Sequence, residues 1–317
     1  MAKIWEPYRG YTRCRRYTDL ITRSCFRSIR IEGLERIPHE GAILLAPNHC
    51  ATLMDPMLQL LLRPDRAPIA FGARSDIFAK PRTARILRWL RILPIARERN
   101  GLAEVAKNFE VFDEIVDCLD HDVPFCMYAE GTHRAERGML PVKKGLFRIA
   151  KKASEQLGKP VYIYPIGTCY EYFFRGQGRV RMRVGDPVEI GAEFAKRADE
   201  PEAEIYRELC EELRERVIAL IGEPIERRHD RLWLRIPGAL LSLPLFVLCA
   251  VGALPIWLPY LLIMRKMRDK AWSHTVRYAL HLALPLFVPF HIGFERLLND
   301  YRALADDLRG DSGSSPE

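Results

Sequence analysis

Apolar residues fall in two rhythms between residues 31 and 225. Compact apolar runs alternate with longer stretches whose apolar positions recur every three or four residues. The compact runs suit strands buried on both faces, and the longer ones suit amphipathic helices. The pattern predicts strands over 42–47, 68–72, 92–96, 124–128, 161–166 and 179–184. It predicts helices over 55–63, 82–90, 102–120, 145–157 and 201–221. Strands separated by helices imply an α/β fold, a sheet covered by helices on both faces.

Both flanks break this rhythm. Residues 4–30 interleave Trp5, Tyr8, Tyr11, Tyr17, Leu20, Ile21, Phe26 and Ile29 with Arg9, Arg13, Arg15, Arg16, Arg23, Arg27 and Arg30. A helix here carries a basic face and an aromatic-aliphatic face. It suits either the interface of an anionic bilayer or the surface of the domain. After residue 235 the composition changes: no charge occurs from Ile236 to Met264, long enough to cross a bilayer. A second apolar run covers Tyr278 to Pro289. Prolines punctuate the first run at 237, 244, 255 and 259, and basic clusters stand on both sides of it (Arg227, Arg228, Arg231, Arg235; Arg265, Lys266, Arg268, Lys270). One crossing places a basic cluster on the wrong side of the membrane. The sequence therefore favours a re-entrant hairpin bent at the prolines and glycine, with both clusters on the cytoplasmic face. The expected organisation is a basic amphipathic helix over 1–30, a catalytic-type domain over 31–225, a membrane-associated helical region over 226–308 and a disordered tail over 309–317.

Charge and cysteine content narrow the classes. The chain has 317 residues and a net charge of +8, which suggests an anionic partner, nucleic acid or membrane surface. No nucleic-acid-binding motif is present, and nucleic acid gives no reason for the apolar run at 236–264. The expected partner is therefore membrane lipid rather than nucleic acid. The eight cysteines are scattered without a C-x-x-C pair, which argues against zinc, a redox centre or a disulfide framework.

The candidate chemistry lies at the ends of predicted strands. Asn48-His49 follows the 42–47 run, and Asp55-Pro56 comes next with five residues between His49 and Asp55. A His beside a carboxylate can take a proton from a hydroxyl group. Six positions on one helix rotate by about 240°, so the two meet only if His49 lies on a loop and Asp55 at a helix start, where Asp caps and Pro follows. Phe125 to Tyr128 ends in Ala129-Glu130-Gly131-Thr132-His133-Arg134, where a glycine allows close backbone approach and the neighbouring N–H groups can hold a phosphate. Ile92 to Ile95 ends in Arg97, and Lys143-Lys144-Gly145 opens a helix. Taken singly, each has an ordinary structural explanation.

Their order resembles the glycerolipid acyltransferases, the superfamily of glycerol-3-phosphate and lysophosphatidic acid acyltransferases. The resemblance covers roughly residues 28–220. It is carried by Asn48-His49 through Asp55-Pro56, by Ile92 to Arg97, by Tyr128 to Arg134 and by the proline-containing run Ile163 to Ile166. The chain departs from the family in the five-residue gap between His and Asp, where most members have four. It also has Arg91 and Pro94 near the usual Gly and Phe of the second block, and Ala129 and His133 in the third. The resemblance implies a mixed sheet flanked by helices. It implies His49 as general base and Asp55 as its orienting carboxylate. Arg97, Glu130, Gly131, Thr132 and Lys143 are implied to bind the acceptor. Backbone N–H groups near Gly131 are candidates for holding the oxyanion. The implied donor is a fatty acyl thioester of CoA or acyl carrier protein. The acceptor is 1-acylglycerol 3-phosphate, with glycerol 3-phosphate or another lysolipid as alternatives. No cofactor or metal is called for, and the site is expected at the cytoplasmic face of a membrane.

Overall fold

The computed structural model describes residues 3–6, 9–96, 108–225 and 232–309. Its centre is a mixed sheet in the order β1-β7-β6-β2-β5-β3-β4, with β8 paired to β6. The strands are β1 (Ser28–Glu32), β2 (Ala42–Pro47), β3 (Ala70–Arg74), β4 (Ile92–Ile95), β5 (Phe125–Cys126), β6 (Val161–Tyr170), β7 (Arg179–Val184) and β8 (Val188–Glu189). Strand β2 lies parallel to both β5 and β6, and all six of its residues are buried. That is why its sequence is a continuous apolar run rather than an alternating one. Ala42, Leu44 and Ala46 enter the core on one face, and Ile43 and Leu45 enter the core on the other.

The first core is covered by α4 (Asn108–Asp120), α5 (Gly145–Leu157) and α7 (Glu202–Ile221), with α6 (Ile190–Lys196) beside them. The second is covered by α1 (Arg9–Ser24) and α2 (Met54–Leu60). Helix α3 (Pro81–Trp89) leads into the edge strand β4. Pro94 is tolerated there because an edge strand need not donate every ladder hydrogen bond. The expected strands are present with shifts of a few residues. The expected 102–120 helix is described from Asn108 onward. β1 and β8 were not expected, and β6 runs four residues beyond its predicted end.

Helix α1 packs on the domain. Tyr11, Ile21 and Cys25 are buried, and so is Arg15, whose guanidinium reaches the Leu60 and Arg63 carbonyls at the end of α2. A cation there meets carbonyl groups at the negative end of the helix dipole. Arg13, Arg16 and Arg23 remain exposed.

The C-terminal region corrects the expected hairpin. After α8 (Leu232–Leu241) comes a single helix, α9 (Leu243–Lys266), which continues through Pro255 and Pro259. At 1.5 Å per residue its 24 residues span about 36 Å, and among the described residues it is long and apolar enough to cross a membrane. The chain reverses after Lys266 instead, at Met267–Asp269, and returns through α10 (Ser273–Ala283) and α11 (Val288–Arg309). Gly252 of α9 lies against Phe290, and Gly293 of α11 lies against Cys249. Missing side chains at these two positions let the helices approach closely, which supports the continuous helix despite its prolines. Leu245, Val247, Leu248, Val251, Leu258 and Leu262 of α9 face outward.

Helix α10 packs into the catalytic-type domain. Tyr278 joins the second core, Ser273 Oγ donates to the Phe174 carbonyl at 2.6 Å, and Thr275 and Thr52 share a 2.6 Å hydroxyl contact.

Candidate active site

Strand β2 ends at Pro47 opposite Ile166 of its parallel neighbour β6. The chain continues as a loop, Asn48 to Leu53, at the carboxyl end of the sheet, where open α/β sheets bind ligands. The overhanging part of β6 runs beside this loop. Asn48 uses it as a ruler: its Nδ2 donates to the Thr168 carbonyl at 3.1 Å, and its Oδ1 accepts from the Thr168 amide at 2.7 Å. This side chain prolongs the β2–β6 pairing by one rung and sets where His49 begins.

The structure brings His49 and Asp55 together, with His49 Nδ1 2.7 Å from Asp55 Oδ2. Asp55 is fully buried, and the His49 side chain is 17% exposed. The expected N-cap is corrected, because Leu53 holds that position and Asp55 lies inside the first turn of α2. Its carboxylate folds back to accept the Cys50 and Ala51 amides at 2.8 and 2.7 Å. The other oxygen, Oδ1, accepts the Tyr170 hydroxyl at 2.5 Å. Burial, followed by the nearby Asp55 charge, pushes the Tyr170 phenol well above its usual range, so it stays a donor. Four donors thus compensate a buried carboxylate, as a buried charge requires. Each of the two segments turns sharply: Thr52 in the His49 loop has φ 49°, and Gly131 in the block after β5 has φ 71°. A β-branched residue in the left-handed region is strained, and the Thr275 hydroxyl grips Thr52 there.

The Glu-Gly-Thr block stands opposite. Glu130 is buried, and its two oxygens accept the His49 amide at 2.6 Å and the Leu140 amide at 2.7 Å. Its carboxylate therefore holds the His49 backbone in place. Burial pushes its acid up to about 7 against the pull of those two amides. The Gly131 amide donates to the Tyr128 carbonyl, so it is not available to an oxyanion. Thr132 and Lys143 are exposed on the cleft wall. Lys143 is tied to the block by its amide, which donates to the Ala129 carbonyl at 2.8 Å. Arg97 lies outside the described residues. Cys50, beside the base, is no acyl nucleophile. It is buried, bonded to Asn48 and Glu136, and its thiol is pushed well up by burial.

Sequence reasoning missed Tyr170, Tyr128, His133 and Asp269. Tyr128 stacks on His49 with ring centres 4.2 Å apart, and His133 meets His49 edge-on at 5.5 Å. Tyr170 lay beyond the predicted end of its strand, and Asp269 lies more than two hundred residues from His49. Neither carried a local signal.

His49 lines a cleft of about 1810 Å³. Part of its lining is apolar, including Leu53, Met57, Phe71, Ile77, Leu87 and Leu90. At α5 and α7 the lining is charged, with Lys144, Arg148, Lys151, Lys152 and Arg207 beside Glu155, Glu202 and Glu211. A buried carboxylate, an imidazole locked through one nitrogen and an apolar channel form a site that can deprotonate a hydroxyl group beside a long acyl chain.

Residues 28–168 match the family model described as Acyltransferase. That stretch is similar to an acyltransferase domain. The chain is 28% identical over 165 residues to mouse (Mus musculus) 1-acyl-sn-glycerol-3-phosphate acyltransferase alpha, across 50% of this chain and 54% of that protein. The match thus spans about half of that relative's length. The fold resembles that of the 1-acyl-sn-glycerophosphate acyltransferase PlsC from Thermotoga maritima. That likeness has a TM-score of 0.50 and 21% identity, and it covers 68% of this chain and 81% of that one. At that identity the likeness concerns the fold alone.

Proposed function

We propose that this chain transfers a fatty acyl group from a thioester to the free hydroxyl of 1-acylglycerol 3-phosphate, giving phosphatidic acid, at a membrane surface. The observation that carries the reading is the His49–Asp55 pair on the wall of a cleft lined by both apolar and cationic side chains. With Nδ1 held by Asp55, the other ring nitrogen, Nε2, takes the hydroxyl proton. The oxygen attacks the thioester carbonyl carbon, and the tetrahedral intermediate collapses with cleavage of the C–S bond. The departing sulfur takes the proton back from His49. Asp55 stabilises the imidazolium that forms between these steps, and the buried donors around Asp55 hold its carboxyl group in position. The apolar part of the cleft lining fits the acyl chain.

Membrane association follows from the outward leucines of α9 and from substrates that themselves partition into bilayers. The deciding experiment gives the purified protein a labelled acyl thioester, as CoA or carrier-protein conjugate, with a panel of lysolipids and glycerol 3-phosphate. Transfer should be greatest to 1-acylglycerol 3-phosphate, and His49→Ala should abolish it with the fold intact. Near-normal turnover by His49→Ala would refute the mechanism.

A further inference from the structure

The loop that joins His49 to Asp55 is held from outside. Of the five residues between the pair, Thr52 alone has a positive φ, 49°, and it stands midway between them. A β-branched side chain disfavours that conformation, so its surroundings must keep it there. The Thr52 hydroxyl lies 2.6 Å from the Thr275 hydroxyl, and both residues are buried. Thr275 belongs to α10, 223 residues further along the chain. The same helix reaches the other side of the pair. His274 stacks on Tyr170 with ring centres 5.6 Å apart, and Tyr170 donates to Asp55 Oδ1. His274 Nε2 donates to the Tyr172 carbonyl at 2.9 Å, which fixes its ring. The turn ahead of α10 adds a third tie, with Asp269 Oδ2 2.9 Å from His133 Nε2. The buried Arg277–Glu295 pair fastens α10 in turn to α11.

We propose that Thr275 is a positioning residue for acyl transfer, holding the His49–Asp55 loop in its competent shape through Thr52. The inference rests on the function proposed above, and it gives the C-terminal region a part in turnover as well as in anchoring. Without the Thr275 hydroxyl, Thr52 loses the partner that keeps it left-handed. A right-handed Thr52 redirects the chain at the middle of the loop. That draws the Cys50 and Ala51 amides away from Asp55 Oδ2, where they lie at 2.8 and 2.7 Å, and moves the imidazole off the same oxygen. Misplacing a reacting group by about 1 Å costs up to about 100-fold in rate. Thr275 is absent from the cleft wall, so the loss falls on turnover rather than on substrate binding.

The test is steady-state acyl transfer by the full-length protein in anionic phospholipid vesicles, with labelled acyl-CoA and 1-acylglycerol 3-phosphate. Thr275→Val keeps the side-chain volume and removes the hydroxyl. It should lower kcat about tenfold, the equivalent of one buried hydrogen bond, with KM for both substrates little altered. The variant should still float with the vesicles. Thr275→Ser restores the hydroxyl and should recover most of kcat. Thr52→Gly probes the link from the loop side: glycine enters the left-handed region without strain, so Thr275→Val should lower kcat much less in that background. The control is Tyr260→Phe, which removes a like hydroxyl contact of 2.8 Å, from Tyr260 to Ser273, between α9 and α10. It should lower Tm and leave kcat unchanged. Unchanged kcat or lost flotation in Thr275→Val, no recovery in Thr275→Ser, an undiminished loss beside Thr52→Gly, or an equal loss in Tyr260→Phe each overturn the inference while the proposed function stands. Absence of transfer by the unmodified protein to every acceptor overturns both.

Discussion

Replacing Tyr170 with phenylalanine removes one oxygen and leaves a buried ring in place. Tyr170 is 1% exposed and its ring packs among Phe26, Phe173 and His274, so the phenyl group keeps its packing. What is lost is the 2.5 Å hydrogen bond to Asp55 Oδ1. Hydrogen bonds to charged groups contribute about 1.5–3 kcal/mol, and that range bounds the cost in folding stability. The damage stays within it because Oδ2 keeps its three donors, His49 Nδ1, Cys50 N and Ala51 N. If the same bond also steadies Asp55 against the imidazolium in the transition state, kcat falls by about 10- to 100-fold, at a factor of ten per 1.4 kcal/mol. KM for either substrate should barely move, since Tyr170 is absent from the cleft wall. The assay is steady-state acyl transfer in detergent or vesicles, with thermal unfolding on the same preparation. A Tyr170→Phe protein with kcat within twofold of the parent would show that Oδ1 needs no donor, and would refute this account of the dyad.

The remaining predictions concern the supports of the site. Glu130 holds a proton more tightly folded than free, about 7 against 4.5, so its contribution to stability is full below about 4.5 and is lost as pH rises through about 7. Glu130→Gln should remove that slope, and a Tm difference between the two proteins that is constant over this window would contradict the burial argument. Arg277 and Glu295 form a buried ion pair at 2.6 Å between α10 and α11. Arg277→Met alone should cost about 3–5 kcal/mol by stranding Glu295, and Arg277→Met with Glu295→Met should regain much of it in chemical unfolding. Combining Leu248→Asp, Val251→Asp and Leu262→Asp on the outward face of α9 should shift the chain out of the membrane fraction with its near-UV circular dichroism retained. Deleting residues 230–317 is the poorer experiment, because it also strips Tyr278 from the core and Thr275 from the catalytic loop.

Much of the sheet was legible from the chain itself. A run such as Ala42 to Pro47, apolar at every position, belongs only where both faces are covered, and that burial is visible in six consecutive residues. The His49–Asp55 pair was legible too, because helical geometry required a loop for one partner. The donor side of the pair was not. An N-cap was the local reading of Asp55-Pro56, whereas the carboxylate turns back to the Cys50 and Ala51 amides. Glu130 was expected to face the acceptor, yet both its oxygens hold backbone amides.

Sequence alone therefore determined most of the strands and helices, and that the C-terminal region carries a run long and apolar enough to cross a membrane. These are local properties, set by periodicity, propensity and composition. Only the tertiary structure decided that Tyr170 completes the shell around Asp55, that α9 runs straight through its prolines against the glycine-lined face of α11, and that Asp269 reaches back to His133. Each depends on groups far apart in the chain meeting within about 3–4 Å, the reach of hydrogen bonds and side-chain packing. No pattern along one strand or helix records such a meeting.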